Sequence, residues 1–334
     1  MPGPVQQFAS DPFQERIAHA FTRRISILGQ SFWFESNSRS LLRLVDVAYR
    51  GLPAHHLRSA SEPITLRLHL TRSSYPRTAP FPPDMQMHGA GGLLCGAMDA
   101  RNYAMLSPAA RTGLVVISRE LLKHRYQARY EIIEFAVFTL ASRGQGLVPL
   151  HAACVGLNGR GLLLVGASGA GKSTLAMLCA SEGMDFLTED ATFVAPGEML
   201  GTGVMNYLHV RSESLRYVED QRLISLIRNS PVIRRRSGAR KYEVDVRTTG
   251  FRLAGTPLKI AGIVFVTARP TRGAPLAPLR SSTSLERILL TQSYGAAQPG
   301  WAKFAQGLRK LPAFELRRGR EPLDGARMLR NLLA

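Results

Sequence analysis

The feature that most constrains this chain is the run Gly166-Ala167-Ser168-Gly169-Ala170-Gly171-Lys172-Ser173, followed by Thr174. It fills every fixed position of the pattern Gly-x-x-x-x-Gly-Lys-Ser/Thr. An apolar run, Gly161 to Val165, leads into it, and Lys172 to Ser181 reads as a helix closed near Gly183. Glycines let the backbone turn tightly enough for successive N–H groups to converge on one anion, and the helix adds the positive end of its dipole. Residues 166–174 are therefore expected to hold a nucleoside triphosphate, ATP. Lys172 would reach the β- and γ-phosphates, and the Ser173 hydroxyl would hold Mg²⁺. A strand, a glycine loop and a helix in that order place the chain in the α/β class.

The flanking sequence extends the unit. His151 to Val155 is a second apolar run, joined to Gly161–Val165 through Asn158-Gly159, a strong two-residue hairpin signal. His151 stands 21 residues before Lys172, at the start of the first of these strands. Strand twist decides whether it lies near the phosphates or at the opposite edge. After the helix, Met184 to Leu187 reads as a short return strand, and Glu189 and Asp190 lie 17 and 18 residues beyond Lys172. A carboxylate pair returned to that place can divide two tasks, one holding Mg²⁺ through water and the other accepting a hydroxyl proton. The plain alternative is a turn carrying two solvated acids.

A length of 334 residues suggests two domains, with a boundary near residue 147. Residues 1–147 would form an accessory α+β domain and 148–334 the ATP-binding domain. The first ~20 residues are mixed in character and expected to fray. Two short strands, Arg24 to Leu28 and Ser31 to Glu35, surround Gly29. An amphipathic helix follows over Ser38 to Gly51, with Leu41, Leu42, Leu44, Val45 and Ala48 as its stripe. Ile64 to Leu70 alternates as a half-buried strand, Ser73 to Gly92 reads as an exposed loop with four prolines and three glycines, and Leu114 to Ile117 is a strand. One long helix is expected from Arg119 to Ser142, with Ser118 as its N-cap. Later, Ile260 to Thr267 reads as a buried strand, Ala313 to Leu316 as a weaker one, and Pro322 to Leu333 as a closing helix.

Composition narrows the function classes. Cys95, Cys154 and Cys179 are too few and too scattered for a disulfide framework or a zinc site. No apolar run reaches the ~18 residues of a membrane span, and Met1 to Ser10 lacks the order of a secretion signal, so a cytoplasmic protein is expected. The net charge is +19, and only six of the 43 basic residues are Lys. Arg suits bidentate phosphate contact, but no zinc-finger, basic-zipper or RNA-recognition signature accompanies the charge, so nucleic acid is not the expected partner. Arg222, Arg228, Arg234, Arg235, Arg236, Arg240, Lys241 and Arg247 crowd around Gly238. They read equally as a solvated mobile loop or as a lid that closes cations on a phosphate. Arg211 and Glu213 follow a strand and can face the same site.

The segment from His151-Ala-Ala-Cys-Val through Gly161-Leu-Leu-Leu-Val-Gly166-Ala-Ser-Gly-Ala-Gly171-Lys172-Ser173-Thr174 to Phe186-Leu-Thr-Glu189-Asp190 resembles the catalytic domain of HPr kinase/phosphorylase. It is most similar to the HPr-kinase-related serine kinases, whose core resembles the nucleotide-binding core of phosphoenolpyruvate carboxykinase. Pro257-Leu-Lys-Ile-Ala-Gly-Ile-Val-Phe-Val and Phe314-Glu-Leu-Arg-Arg-Gly look like the same kinases. The resemblance implies that Lys172 and the loop amides hold the phosphates and that Ser173 and Asp190 serve the metal. It further implies that Glu189 is the general base toward a substrate serine and that His151 lies beside the reacting phosphate. The family usually carries Asp at the place of Glu189, and the segment that supports its reverse, phosphorolytic reaction is not recognisable here. The N-terminal half does not resemble that of HPr kinase.

The sequence therefore predicts an α/β phosphate-loop kinase with a smaller α+β N-terminal domain. It would move the γ-phosphate of Mg-ATP to a serine of a protein or peptide, without a membrane partner, and self-association into a homo-oligomer is left open. The alternatives are a nucleotide-binding regulatory module without phosphotransfer and a small-molecule phosphate-loop kinase.

Overall fold

The computed structural model describes residues 18–58, 62–71, 82–270, 275–318 and 321–334. The expectation for the N-terminal residues up to 17, and the part of the proline-rich loop over 72–81, lie outside the described residues.

Period-two alternation builds the first sheet. Its strands are β1 (Phe21–Ile27), β2 (Gln30–Ser36), β3 (Ile64–Thr71), β4 (Gln86–Ala90), β5 (Leu93–Asp99), β6 (Asn102–Ser107) and β7 (Thr112–Ser118), in the order β1-β2-β3-β7-β6-β5-β4. The β2–β3 and β3–β7 pairs are parallel and the rest antiparallel. Phe32, Phe34, Ile64, Leu66, Leu68, Val115 and Ile117 enter one core, while Trp33, between two buried phenylalanines, faces out beneath the Arg24 guanidinium. Helix α1 (Arg39–Tyr49) lays its apolar stripe on that core, and the Ser38 hydroxyl caps it by accepting from the Ser40 N–H.

Two departures from the sequence reading matter here. Part of the expected loop is strand β4, joined to β5 through Gly91 and Gly92 at φ +59° and +81°. That is a two-residue turn whose positive φ values glycine adopts without strain. The second departure is the expected long helix. Ser118 does cap its start, but the segment divides into α2 (Arg119–Lys123), a π-helical stretch over Gln127–Glu134, and α3 (Phe135–Gln145). A reading at 3.6 residues per turn cannot see a turn whose hydrogen bonds run i to i+5. Here Arg129 and Glu134, five apart and both buried, form an ion pair with one another.

The remaining elements are β8 (Val148–Leu150), β9 (Ala153–Leu157), β10 (Arg160–Val165), α4 (Lys172–Ser181), β11 (Asp185–Thr188), β12 (Thr192–Ala195), β13 (Leu200–Gly203), β14 (Tyr207–Val210), α5 (Gln221–Asn229), β15 (Val232–Arg234), β16 (Arg240–Asp245), β17 (Leu258–Pro270), β18 (Leu276–Leu279), α6 (Ser281–Thr291), α7 (Ser293–Ala296), α8 (Trp301–Leu308), β19 (Ala313–Arg318) and α9 (Pro322–Leu333). Nine strands form a mixed sheet, with the path β11-β9-β10-β17-β13-β12-β8 and with β19 on β17 and β18 on β19. The β10–β17 and β17–β19 pairs are parallel. Asn158 and Gly159 make the expected β9–β10 turn at φ +53° and +76°. A third, small sheet has the order β14-β16-β15.

The two cores meet. Phe193 of β12 belongs to the core of the first sheet and packs against Phe138 of α3, with ring centroids 5.2 Å apart. Buried His55 joins the Thr202 hydroxyl at 2.7 Å and the Ala254 carbonyl at 2.9 Å. The architecture is mixed α/β with several sheets. Among the described residues no helix is long and apolar enough to cross a membrane.

Candidate functional site

The glycine-rich loop leaves β10 at Gly166 and enters α4 at Lys172. Gly166 has to be glycine for space, because a Cβ there would stand 2.4 Å from the Val266 carbonyl oxygen of neighbouring β17. Gly171 has to be glycine for conformation, at φ +103° with open space where a side chain would stand. The loop is thus pinned at its base and clear at its tip, a shape with room for an anion over the α4 N-terminus.

Lys172 is 7% exposed. Its ammonium donates to the Gly166 carbonyl at 2.7 Å and lies 3.4 Å from both the Ala167 carbonyl and His151 Nε2. Burial pushes its pKa down, against the pull of Asp190 and Glu189. His151 sits in the bend between β8 and β9, two residues before the strand it was expected to begin. Its Nδ1 lies 3.0 Å from Asp190 Oδ1. The tautomer protonated at Nδ1 satisfies both contacts, donating to the carboxylate and presenting a lone pair to the lysine. Buried Gln292, beyond the end of α6, holds the His151 backbone from both sides: its Oε1 accepts from the N–H at 2.7 Å and its Nε2 donates to the carbonyl at 3.2 Å.

Asp190 follows β11. Its second oxygen, Oδ2, accepts from the Tyr130 hydroxyl at 2.9 Å and lies 4.0 Å from the Arg235 guanidinium. Burial opposes ionisation, but His151, Arg235 and Tyr130 outweigh it and hold the carboxyl well below the usual range. Arg235 stacks over Tyr130, 4.8 Å from the ring centroid.

Glu189 is placed differently from its neighbour. It is 4% exposed, does not line the cleft, and points into the protein. Its Oε1 accepts from the His209 N–H at 3.0 Å and from His209 Nδ1 at 2.5 Å. His209 Nε2 in turn faces Glu243 at 3.4 Å, and Glu243 pairs with Arg129. Burial works against both charges. The imidazole nevertheless lowers the Glu189 pKa, and the carboxylate raises that of His209. Glu189 Oε2 is buried without a hydrogen-bond partner among the described residues.

Lys172, His151, Asp190 and His209 form the floor of a cleft of about 720 Å³. Ser168 to Leu175 make one wall, and His151, Asp190 and His209 lie beside it. Arg211, Glu213, Arg216, Arg235 and Lys241 face them from the β14–β16 side, and Val266 to Ala268, Leu316, Pro322 and Met328 close the apolar end. The Thr174 hydroxyl meets the Ser214 hydroxyl across the cleft at 2.9 Å. Gly166 and Ala167 lie beneath the wall and contribute carbonyls. Of the sequence-derived residues, the structure brings Lys172, His151 and Asp190 together in one chain of contacts, and it sets Glu189 one residue behind, on His209.

The basic stretch divides. It folds as α5 and the β15–β16 hairpin, where Arg235 and Lys241 line the cleft, Arg236 pairs with Asp84 and Glu131, and Arg247 pairs with Asp245. Sequence reasoning missed Tyr130, His209, Glu243, Arg129 and Gln292.

No protein-family model matches this chain, and no curated protein does. Among solved structures, the HPr(Ser) kinase/phosphatase from Coxiella burnetii is similar over 55% of this chain and 88% of its own, at 12% identity and a TM-score of 0.30. A likeness at that score carries no argument about the site.

Proposed function

We propose that this chain binds Mg²⁺-ATP with the phosphates against residues 166–174 and transfers the γ-phosphate to a serine hydroxyl of a protein or peptide. The observation that carries this reading is the contact chain from Lys172 through His151 to Asp190, set on the floor of a cleft beside a glycine loop and a helix N-terminus. Lys172 is largely withdrawn from water and so meets an anion with little competing hydration. Its present acceptors are two carbonyls, which an incoming phosphate oxygen can replace with a charge-assisted partner.

When bound, Mg²⁺-ATP supplies the phosphoryl group and the metal charge that offsets negative charge on the transferring oxygens. Ser173 and Asp190 are the residues that would hold the metal. Magnesium is commonly held by one or two side chains together with phosphates and waters, so this pair suits it without a larger ligand cluster. Asp190 is kept ionised by His151 and Tyr130, which also fix its orientation. His151 stands between Lys172 and Asp190, with its Nε2 lone pair on the ammonium that would meet the phosphates and its Nδ1–H on the carboxylate. Arg211, Arg235 and Lys241 on the facing wall add positive charge where transferred oxygens would gather. Glu189, as placed, does not reach a hydroxyl in the cleft; it holds His209, which lines the cleft in its stead.

The burial of Glu189 also favours a second reading, a nucleotide-binding regulatory module that does not transfer phosphate. One pair of measurements tests both. Calorimetric titration of ATP, with and without Mg²⁺, into the wild type and Lys172→Ala tests binding, and equal affinities would sink the assignment. Transfer from γ-labelled ATP to serine-bearing peptides and proteins tests the kinase. Tight, Lys172-dependent binding with no transfer to any acceptor favours the module.

A further inference from the structure

We propose that Tyr130 is a positioning residue for Asp190, and that the π-helical segment carrying it lets the N-terminal half of the chain support the floor of the cleft from behind. The inference rests on the metal role given to Asp190 above.

Three observations converge. The first is the division of the Asp190 carboxylate. Its Oδ1 is held by His151 at 3.0 Å and its Oδ2 by the Tyr130 hydroxyl at 2.9 Å. Two donors on opposite oxygens fix rotation about the terminal torsion, which is otherwise broad. What remains free of each oxygen faces the cleft in one orientation. His151 comes from the β8–β9 bend beside the loop. Tyr130 comes from the cover of the first sheet, 60 residues earlier in the chain.

The second observation is the anchoring of Tyr130. Its ring stacks on Tyr126 at 5.2 Å and lies beneath Arg235. The preceding residue, Arg129, is buried between Glu134 and Glu243, with its guanidinium 4.3 Å from the Tyr207 ring centroid. Glu243 faces His209, and His209 holds Glu189. Two consecutive residues of one segment therefore lead to two consecutive acids, Tyr130 directly to Asp190 and Arg129 through Glu243 and His209 to Glu189.

The third observation is the helical form. Arg129 and Glu134 stack at i and i+5, the spacing that a π-turn brings into register. Meanwhile Ala128, Ile132 and Ile133 stay in the core of the first sheet. The wider turn lets one segment keep its apolar face in that core while turning Arg129 onto Glu243 and Tyr130 onto Asp190. Residues 148–334 alone lack this second clamp on Asp190.

The test uses the full chain and the variant Tyr130→Phe, which removes one hydroxyl and keeps the ring. Tyr126→Phe is the matched control. Its hydroxyl is buried four residues earlier and has no hydrogen-bond partner among the described residues. Nucleotide affinity is measured calorimetrically without metal and with Mg²⁺, and phosphate transfer in single turnover. In Tyr130→Phe, metal-free affinity is expected to stay within about twofold, while the gain in affinity on adding Mg²⁺ falls about tenfold, the loss of one charge-assisted hydrogen bond. Single-turnover transfer falls by at least as much, and Tyr126→Phe leaves all three unchanged. A Tyr130→Phe protein with the full Mg²⁺ gain overturns the inference. So does an equal loss in Tyr126→Phe, which would assign the effect to ring packing. A wild type that binds ATP with no Mg²⁺ gain overturns it as well, because Asp190 then orients no metal. A wild type that binds no ATP at all instead marks the failure of the proposed function itself, and the inference falls with it.

Discussion

Replacing Glu189 by Gln keeps the shape of the side chain and removes its charge, so the effect can be worked from its contacts. Oε1 accepts two hydrogen bonds, from the N–H and Nδ1 of His209. Hydrogen bonds to a charged group contribute roughly 1.5–3 kcal/mol and neutral ones about 0.5–1.5. Weakening both costs about 2 kcal/mol. The new amide nitrogen takes the place of Oε2, which is buried with no partner among the described residues, and an unmet donor there costs a further ~1–3 kcal/mol. Removing a buried charge returns part of this. The expected net loss is about 2–4 kcal/mol of unfolding free energy, with ATP affinity near that of the wild type because Glu189 does not line the cleft.

The pH dependence sharpens the test. The lowered folded-state pKa of Glu189 contributes stability above the ordinary carboxylate range, and this is lost as pH falls through the folded value. The raised pKa of His209 contributes stability that is complete below its ordinary value of 6.5 and lost as pH rises through the folded value. The wild type should therefore lose stability on both sides of neutrality from this pair. In Glu189→Gln the chief cause of the His209 shift is gone, and the alkaline loss should disappear. Urea unfolding across a pH series measures both effects. A variant with the wild-type midpoint and an unchanged alkaline loss would refute the pairing.

Three further outcomes follow from the same contacts. Lys172→Ala should abolish or greatly weaken Mg²⁺-ATP binding, read by calorimetry, because it removes the charge that would meet the β- and γ-phosphates. Asp190→Asn should leave the fold intact and reduce the thermal shift with Mg²⁺-ATP more than that with metal-free ATP; equal reductions count against a metal role. Gln292→Ala should cost about 2 kcal/mol in urea unfolding by orphaning the N–H and carbonyl of His151. It should also slow transfer while leaving metal-free ATP affinity unchanged.

How far the sequence could be read depended on the range of the interaction. The β9–β10 hairpin, α4, β11 and the placing of Asp190 beside Lys172 were all legible, because Asn158-Gly159, the glycine spacing and the short return strand are local signals. Gly91-Gly92 is an equally local signal for the β4–β5 hairpin, masked by the four prolines that precede it. The orientation of Glu189 was not legible. Adjacent residues after a strand face opposite ways, and which of two acids faces the cleft depends on His209, 20 residues further on. Tyr130 was beyond reach for another reason. Its partner comes from a distant segment, and a π-turn shifts the phase of every residue after it.

That phase shift bears on what genetic changes the chain can absorb. Exposed positions near the π-helical segment should accept many side chains, since their contacts with the rest of the protein are few. Deleting a single codon there is another matter. With one residue fewer the segment can relax to ordinary α pitch, which keeps the flanking helices close to their phase but removes the wide turn that stacks residues five apart. Arg129 would then leave its place between Glu134 and Glu243, and Tyr130 would swing away from Asp190. Across descendants of this gene, the length of the stretch from 127 to 134 should therefore drift less than its spelling.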